Sequence, residues 1–110
     1  VFGVFIFNTM KHYCYIIYSS LIDKYYVGET QNMEIRLIEH NSGKFFASYT
    51  AKSNDWINVW SVLCESKTQA KQIERHIKNM KSRAYIEKLQ KYPDMKNGLL
   101  LKFPVLGSSR

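Results

Sequence analysis

Two stretches decide the fold: Tyr13-Cys14-Tyr15-Ile16-Ile17-Tyr18 and, shortly after it, Tyr25-Tyr26-Val27-Gly28-Glu29. Both are built from aromatic and β-branched residues, which favour a pleated, half-buried surface. The segment between them, 19–24, is polar apart from Leu21-Ile22 and predicts a turn, so the pair reads as a β-hairpin. Alternation places Tyr13, Tyr15 and Ile17 on one face of the first strand and Tyr26 and Gly28 on one face of the second. A glycine inside a strand marks a bulge or a close approach to the backbone.

Working outward, Met33, Leu37 and Ile38 recur at helical spacing over 30–41, and Asn41-Ser42-Gly43 supplies a left-handed stop. Residues 44–58 are polar and irregular, with Trp56 as an anchor. Residues 59–64 predict a third strand. Ser66-Lys67-Thr68-Gln69 has the form of a capping box. Ala70, Ile73, Ile77 and Met80 then give the apolar stripe of an amphipathic helix, expected to be buried. Ser82 would cap a further helix carrying Tyr85, Ile86 and Leu89, stopped by Pro93. The apolar run 99–106, broken by Pro104, either packs on the core or is mobile. This order predicts an α+β fold of the α/β class: a small three-stranded, mainly antiparallel sheet flanked by helices. The expected organisation is an N-terminal extension over 1–10, one domain over 11–92 and a C-terminal tail over 93–110. Met10 could be a natural start.

The 110 residues suffice for one domain with its own core, and no apolar run is long enough to cross a bilayer. The formal net charge is +7, unevenly placed. Residues 1–65 hold five Lys or Arg against six Asp or Glu; residues 66–110 hold eleven against three. A cationic C-terminal part is either a solvated helical surface or a footprint for phosphates. Cys14 and Cys64 lack zinc-ligand spacing and sit in apolar runs. They read as buried thiols of a reducing compartment, the cytoplasm.

Polar residues at the edges of these elements carry the chemical signal. Arg36 and His40, four apart, share a helix face. Glu74 borders the apolar stripe of an otherwise basic helix. Each has an ordinary reading: Arg36 a solvated cation, His40 a charge complementing a helix C-terminus, Glu74 a salt bridge to Lys71 or Lys78. Tyr15 and Tyr26 could be plain strand aromatics. His12 is expected at the surface and His76 on the basic helix.

Taken together, Tyr13-Cys14-Tyr15, Tyr26-Val27-Gly28, Arg36-Leu37-Ile38-Glu39-His40-Asn41 and Glu74 in a long helix resemble the GIY-YIG nuclease family. The likeness is to its small single-domain branch, similar to the N-terminal nuclease domain of the bacterial excinuclease, and covers about residues 11–90. Tyr25 to Thr30, His40-Asn41-Ser42-Gly43-Lys44, Trp56 and Glu74-Arg75-His76-Ile77-Lys78 fit that branch. The chain departs from it where Tyr13 and Cys14 replace the first motif's Gly and Ile, and where Ile35-Arg36 replaces paired arginines. An Asn that some members carry beyond the metal-binding Glu has no counterpart in Tyr85-Ile86-Glu87.

The resemblance implies a metal-dependent endonuclease hydrolysing DNA phosphodiester bonds, structured or branched DNA included, in repair, recombination or a mobile element. It makes Glu74 the ligand of Mg²⁺ or Mn²⁺ and Arg36 the partner of the scissile phosphate. Tyr15, Tyr26 and His40 would orient the attacking water, with Tyr15 or His40 taking its proton. Asn41 would be a turn residue and Lys44 a phosphate contact. The alternative is a non-catalytic nucleic-acid-binding module of the same fold.

Overall fold

The structure is a computed structural model that describes residues 11–43 and 48–105. The strands are β1 (His12–Ser19), β2 (Lys24–Thr30) and β3 (Ile57–Cys64). The helices are α1 (Met33–Ser42), α2 (Lys67–Met80), α3 (Arg83–Lys91) and α4 (Met95–Lys102), with one 3-10 turn at Tyr49–Lys52. The sheet order is β2-β1-β3, antiparallel throughout, so the predicted architecture holds. All three predicted strands form, each two residues longer than its apolar run.

Asp23 closes the hairpin with φ +54°, a left-handed conformation that Asp tolerates better than most side chains. Its carboxylate accepts from the Tyr18 hydroxyl at 2.6 Å. Between β1 and β3 the register shifts: Ile16 faces Trp60 while Ile17 faces Asn58, leaving Val59 as a bulge. The Asn58 side chain accepts from the Trp60 amide at 3.2 Å, satisfying a donor the bulge would strand.

The helix starts follow the local chemistry. Asn32, Ser66 and Ser82 cap α1, α2 and α3 through the amides of Ile35, Gln69 and Tyr85. Gln69 does not complete the box on its cap residue; it accepts from the Glu65 amide instead. Gly43, at φ +76°, ends α1 as its sequence predicts.

The sheet buries both faces. On one, Cys14, Ile16, Val27, Trp60, Val62 and Cys64 pack against Ala70, Ile73 and Ile77 of α2, Leu89 of α3 and Leu99 of α4. On the other, Tyr15, Ile17 and Trp56 pack with Ile22, Tyr26, Met33 and Leu37. Each fully buried aliphatic side chain stabilises this arrangement by about 1.5–3 kcal/mol.

Two expectations need correcting. Met80, expected in the core, is 43% exposed, because α2 ends there and the chain turns away through Lys81 at φ +49°. Within the segment expected as a tail, Met95–Lys102 is a helix whose Leu99 is buried. Of the two alternatives for the run 99–106, Leu99 takes the packed one. The N-terminal extension 1–10 lies outside the described residues, as do 106–110. Cys14 and Cys64 are buried free thiols, and burial raises the pKa of both. No helix among the described residues is long and apolar enough to cross a membrane.

Candidate active site

Tyr15 points from the central strand into the α1 side of the sheet, and no solvent reaches it. Its partner across β2 is Gly28. A Cβ at Gly28 would lie 2.5 Å from the Tyr15 hydroxyl and 2.7 Å from Cζ, so the missing side chain is what leaves the ring its place. This is the close approach expected of a strand glycine.

The Tyr15 hydroxyl ties β1 to α1 through two bonds. Arg36 Nε–H donates to it at 3.3 Å, and it lies 2.8 Å from His40 Nε2. Arg36 can only donate, and the hydroxyl, fully buried, must place its own proton on an acceptor, which His40 Nε2 provides. The imidazole then carries its hydrogen on Nδ1, which donates to Thr50 Oγ1 at 2.7 Å. Thr50 is fixed in turn: its carbonyl accepts from Trp56 Nε1 at 2.8 Å, and Ser48 Oγ lies 3.1 Å from its hydroxyl. His40 is only 3% exposed. The ordinary reading of a charge complementing the helix C-terminus therefore gives way to a buried hydrogen-bonded imidazole.

Burial sets the electrostatics of this pair. It lifts Tyr15 to about 12, against the opposing pull of the Arg36 hydrogen bond and charge, with Tyr26 and Glu74 adding to the rise. It lowers His40 to about 4, with the Arg36 charge as the next cause. At neutral pH both groups are uncharged, and a proton can pass between them along one hydrogen bond.

The remaining candidates surround the pair. The Tyr26 ring meets His40 edge-on, centroids 5.3 Å apart, and stacks on Tyr49 at 6.3 Å. Arg36 is partly exposed and also reaches Glu39 at 3.5 Å. Glu74 comes from α2, which packs on the other face of the sheet. Its Oε2 pairs with Lys78 Nζ at 2.6 Å, and that ammonium lies 5.6 Å from the Tyr26 ring. Nearby, Lys71 reaches Glu29 at 3.7 Å. Glu74 lines a cleft of about 240 Å³ with Lys71, Arg75, Lys78 and Asn79.

Four of the five residues singled out in the sequence meet in two tiers, Tyr26 and Arg36 partly exposed and Tyr15 and His40 buried behind them, while Glu74 is linked to them through Lys78. The expected salt bridge of Glu74 to Lys78 is also present. Among the described residues no three His, Cys, Asp or Glu side chains converge. Glu74 alone would be the protein ligand of a divalent ion. That fits Mg²⁺, which keeps several waters and is held by one or two carboxylates plus substrate phosphates.

Other assignments change. His12, expected at the surface, is half-buried with Nδ1 3.2 Å from Glu29 Oε2, because the β2 neighbour covers it. Asn41 is more than a turn residue: its amide brackets the Trp56 backbone, accepting from N at 2.7 Å and donating to O at 2.9 Å. Lys44 lies outside the described residues. Sequence reasoning misses Thr50, since the irregular stretch around it has no periodicity. It finds Lys78 only as a salt-bridge partner of Glu74.

The family model described as the GIY-YIG catalytic domain matches residues 11–92. A UPF0213 protein of Syntrophus aciditrophicus (strain SB) is 44% identical over 81 residues, covering 73% of this chain and 87% of that protein. A UPF0213 protein of Staphylococcus haemolyticus (strain JCSC1435) is 37% identical over 68 residues, covering 62% of this chain and 80% of its own length. The solution NMR structure of a UPF0213 protein from Bacillus halodurans is 30% identical, with a TM-score of 0.47, covering 86% of this chain and all of that one.

Proposed function

The chain belongs to the GIY-YIG family, a nuclease family, and from that premise we propose that it is a divalent-metal-dependent endonuclease hydrolysing DNA phosphodiester bonds. The observation that carries this reading is the Tyr15 hydroxyl bonded at once to Arg36 and His40, residues distant from it in sequence. A structural tyrosine needs one partner for its hydroxyl; this one links a phosphate-binding cation to a base.

The geometry supports the following roles. Arg36 is partly open to solvent and offers charge-assisted hydrogen bonds to a phosphate. Tyr26, partly exposed, orients the attacking water, which must enter beneath Arg36 with the substrate to reach the Tyr15 hydroxyl, buried in the free protein. As the water loses its proton to Tyr15, Tyr15 passes its own to His40 Nε2, and Thr50 holds the imidazole in the accepting tautomer. Glu74 would hold Mg²⁺ or Mn²⁺, which supplies Lewis-acid stabilisation of charge on the phosphoryl and leaving oxygens. Repair, recombination or mobile-element DNA, structured or branched forms included, is the proposed setting, and the cytoplasm the proposed compartment.

The non-catalytic reading has one observation in its favour: Lys78 already neutralises Glu74. Plasmid nicking with and without Mg²⁺ separates the two. Glu74→Gln is expected to abolish nicking with DNA binding kept or strengthened. Tyr15→Phe is expected to lower the rate by ~10²-fold or more. It also leaves the buried His40 Nε2 without its donor, at a cost of about 1–3 kcal/mol, so melting curves accompany the rates. Full activity in both variants sinks the assignment of this site.

A further inference from the structure

A second cleft, of about 410 Å³, opens along α2 beside the one that holds Glu74, and the two share Lys71, Arg75 and Asn79. Its distinctive wall is aromatic. The Phe103 ring lies 5.5 Å from His76, and Tyr85 backs His76 edge-on at 5.9 Å. Phe103 is held from below: the buried Gln69 donates its amide to the Phe103 carbonyl at 2.9 Å while its oxygen accepts from the Glu65 amide at 2.9 Å. That bond fixes the backbone at Phe103, whose partly buried ring packs on the core with one side left open to the cleft.

Around the ring stand cations. Lys102 Nζ lies 5.8 Å from the Phe103 ring, and Lys71 and Arg75 line the cleft. Arg75 is exposed and makes no ion pair with a carboxylate among the described residues. Gln72 and Asn79 add amide donors and acceptors.

A bare phosphate would use the cations and leave the aromatic wall idle. An apolar peptide would use the wall and be opposed by the cations. A paired duplex keeps its bases stacked inside, out of reach of a ring. An unpaired nucleotide uses all three features, since every base has a face that stacks on an aromatic side chain. The volume lies in the range of small-ligand sites.

We propose that this cleft is a subsite for one unstacked nucleotide of the strand being cut, its base against Phe103 and His76 and its phosphate on Lys71 and Arg75. The inference rests on the nuclease reading of the adjoining Glu74 cleft. It adds a substrate class, DNA with an unpaired nucleotide beside the scissile phosphate.

The test is fluorescence anisotropy of the whole chain in EDTA. The probes are a labelled oligo-dT strand, the same strand with abasic sites, and a duplex of equal length. Phe103→Ala is expected to weaken oligo-dT binding about tenfold and leave the abasic strand unaffected; Phe103→Tyr is expected to restore it. Unchanged oligo-dT binding in Phe103→Ala, or an equal loss on the abasic strand, overturns the proposal. Should Phe103→Ala fail to fold, exposed Arg75→Ala carries the test. It is expected to weaken oligo-dT and abasic strands alike and to reduce the salt slope by about 0.7, one single-strand contact; an unaltered slope overturns the phosphate part. Nicking by the wild-type protein is scored separately. Ring-dependent binding without nicking removes only the nuclease reading, and nicking without ring-dependent binding removes only this one.

Discussion

Gly28→Ala places a methyl group against the Tyr15 side chain. The new Cβ would sit 2.5 Å from the hydroxyl, 2.7 Å from Cζ and 3.1 Å from Cε2, where carbon contacts normally settle at about 3.5–4.0 Å. The ring or the strand must therefore give by about 1 Å. The ring is fully buried, with its hydroxyl tied to His40 and Arg36, so it has little room to yield. Overpacking of this kind costs about 1–3 kcal/mol. Gly28 is not among the positive-φ residues, so Ala suits its backbone and regains about 0.4–1 kcal/mol from the unfolded chain. The clash outweighs that gain, and a fall in melting temperature of about 5–10 °C is expected.

Activity should fall further than stability. A 1 Å displacement of a positioning group can cost ~10²-fold in rate, and here the displaced atom is the one that links Arg36 to His40. The assay is plasmid nicking well below the melting point, beside a thermal melt. Tyr15→Phe removes the atom nearest the new methyl, so the double variant is expected to lose less stability than the sum of the two single changes. A Gly28→Ala protein that melts and cuts like the wild type would refute the argument, because it would mean the ring slides aside at no cost.

Further outcomes follow from the charges. His40 titrates at about 4 in the folded chain against 6.5 in the unfolded one, so the unfolded state binds the extra proton between those values. Stability from this group is fully present above about pH 6.5 and declines by about 3 kcal/mol as pH falls to about 4; a His40→Gln protein with the same acid-melting profile as wild type would contradict it. NMR titration of His40 is expected to move upward when a short phosphodiester oligonucleotide binds at Arg36, and a midpoint that stays put would contradict that assignment. Duplex binding is expected to weaken by about 0.9 log unit per log unit of salt for each phosphate neutralised, and a flat profile would count against DNA as partner.

The elements are legible where local chemistry dictates them. Strands 13–18 and 25–29 announce themselves by aromatic and β-branched runs; Ser66 and Ser82 mark helix starts by side chains that accept from the Gln69 and Tyr85 amides, and Gly43 ends α1 by its left-handed backbone. Glu74 stands out because a carboxylate beside an apolar stripe is out of place, and it is half-buried with Lys78. What stays hidden depends on contacts between distant segments. Thr50 lies in a stretch without periodicity, and only the fold brings it to His40. The burial of Tyr15 depends on α1 and Trp56 closing over one sheet face. His12 lies beside Glu29 because of strand pairing, which a residue-by-residue reading does not supply. Met80 fits its helix period but lies where the helix runs out of neighbours.

The two-tier arrangement bears on how such a site would switch on. Burial makes Tyr15 a poor acid and His40 a poor base, so the free protein has no standing charge on either. The Arg36 charge is the next cause of weakness in His40 after burial. A phosphate that pairs with Arg36 offsets that charge and adds its own negative field close to the imidazole. Both changes favour the protonated imidazole. On the proposed roles, His40 would become a stronger base with substrate in place, and the Tyr15 hydroxyl, bonded to Arg36 and His40 alike, touches both ends of that coupling. On this reading the buried histidine is held in reserve by the same arginine that recognises the phosphate.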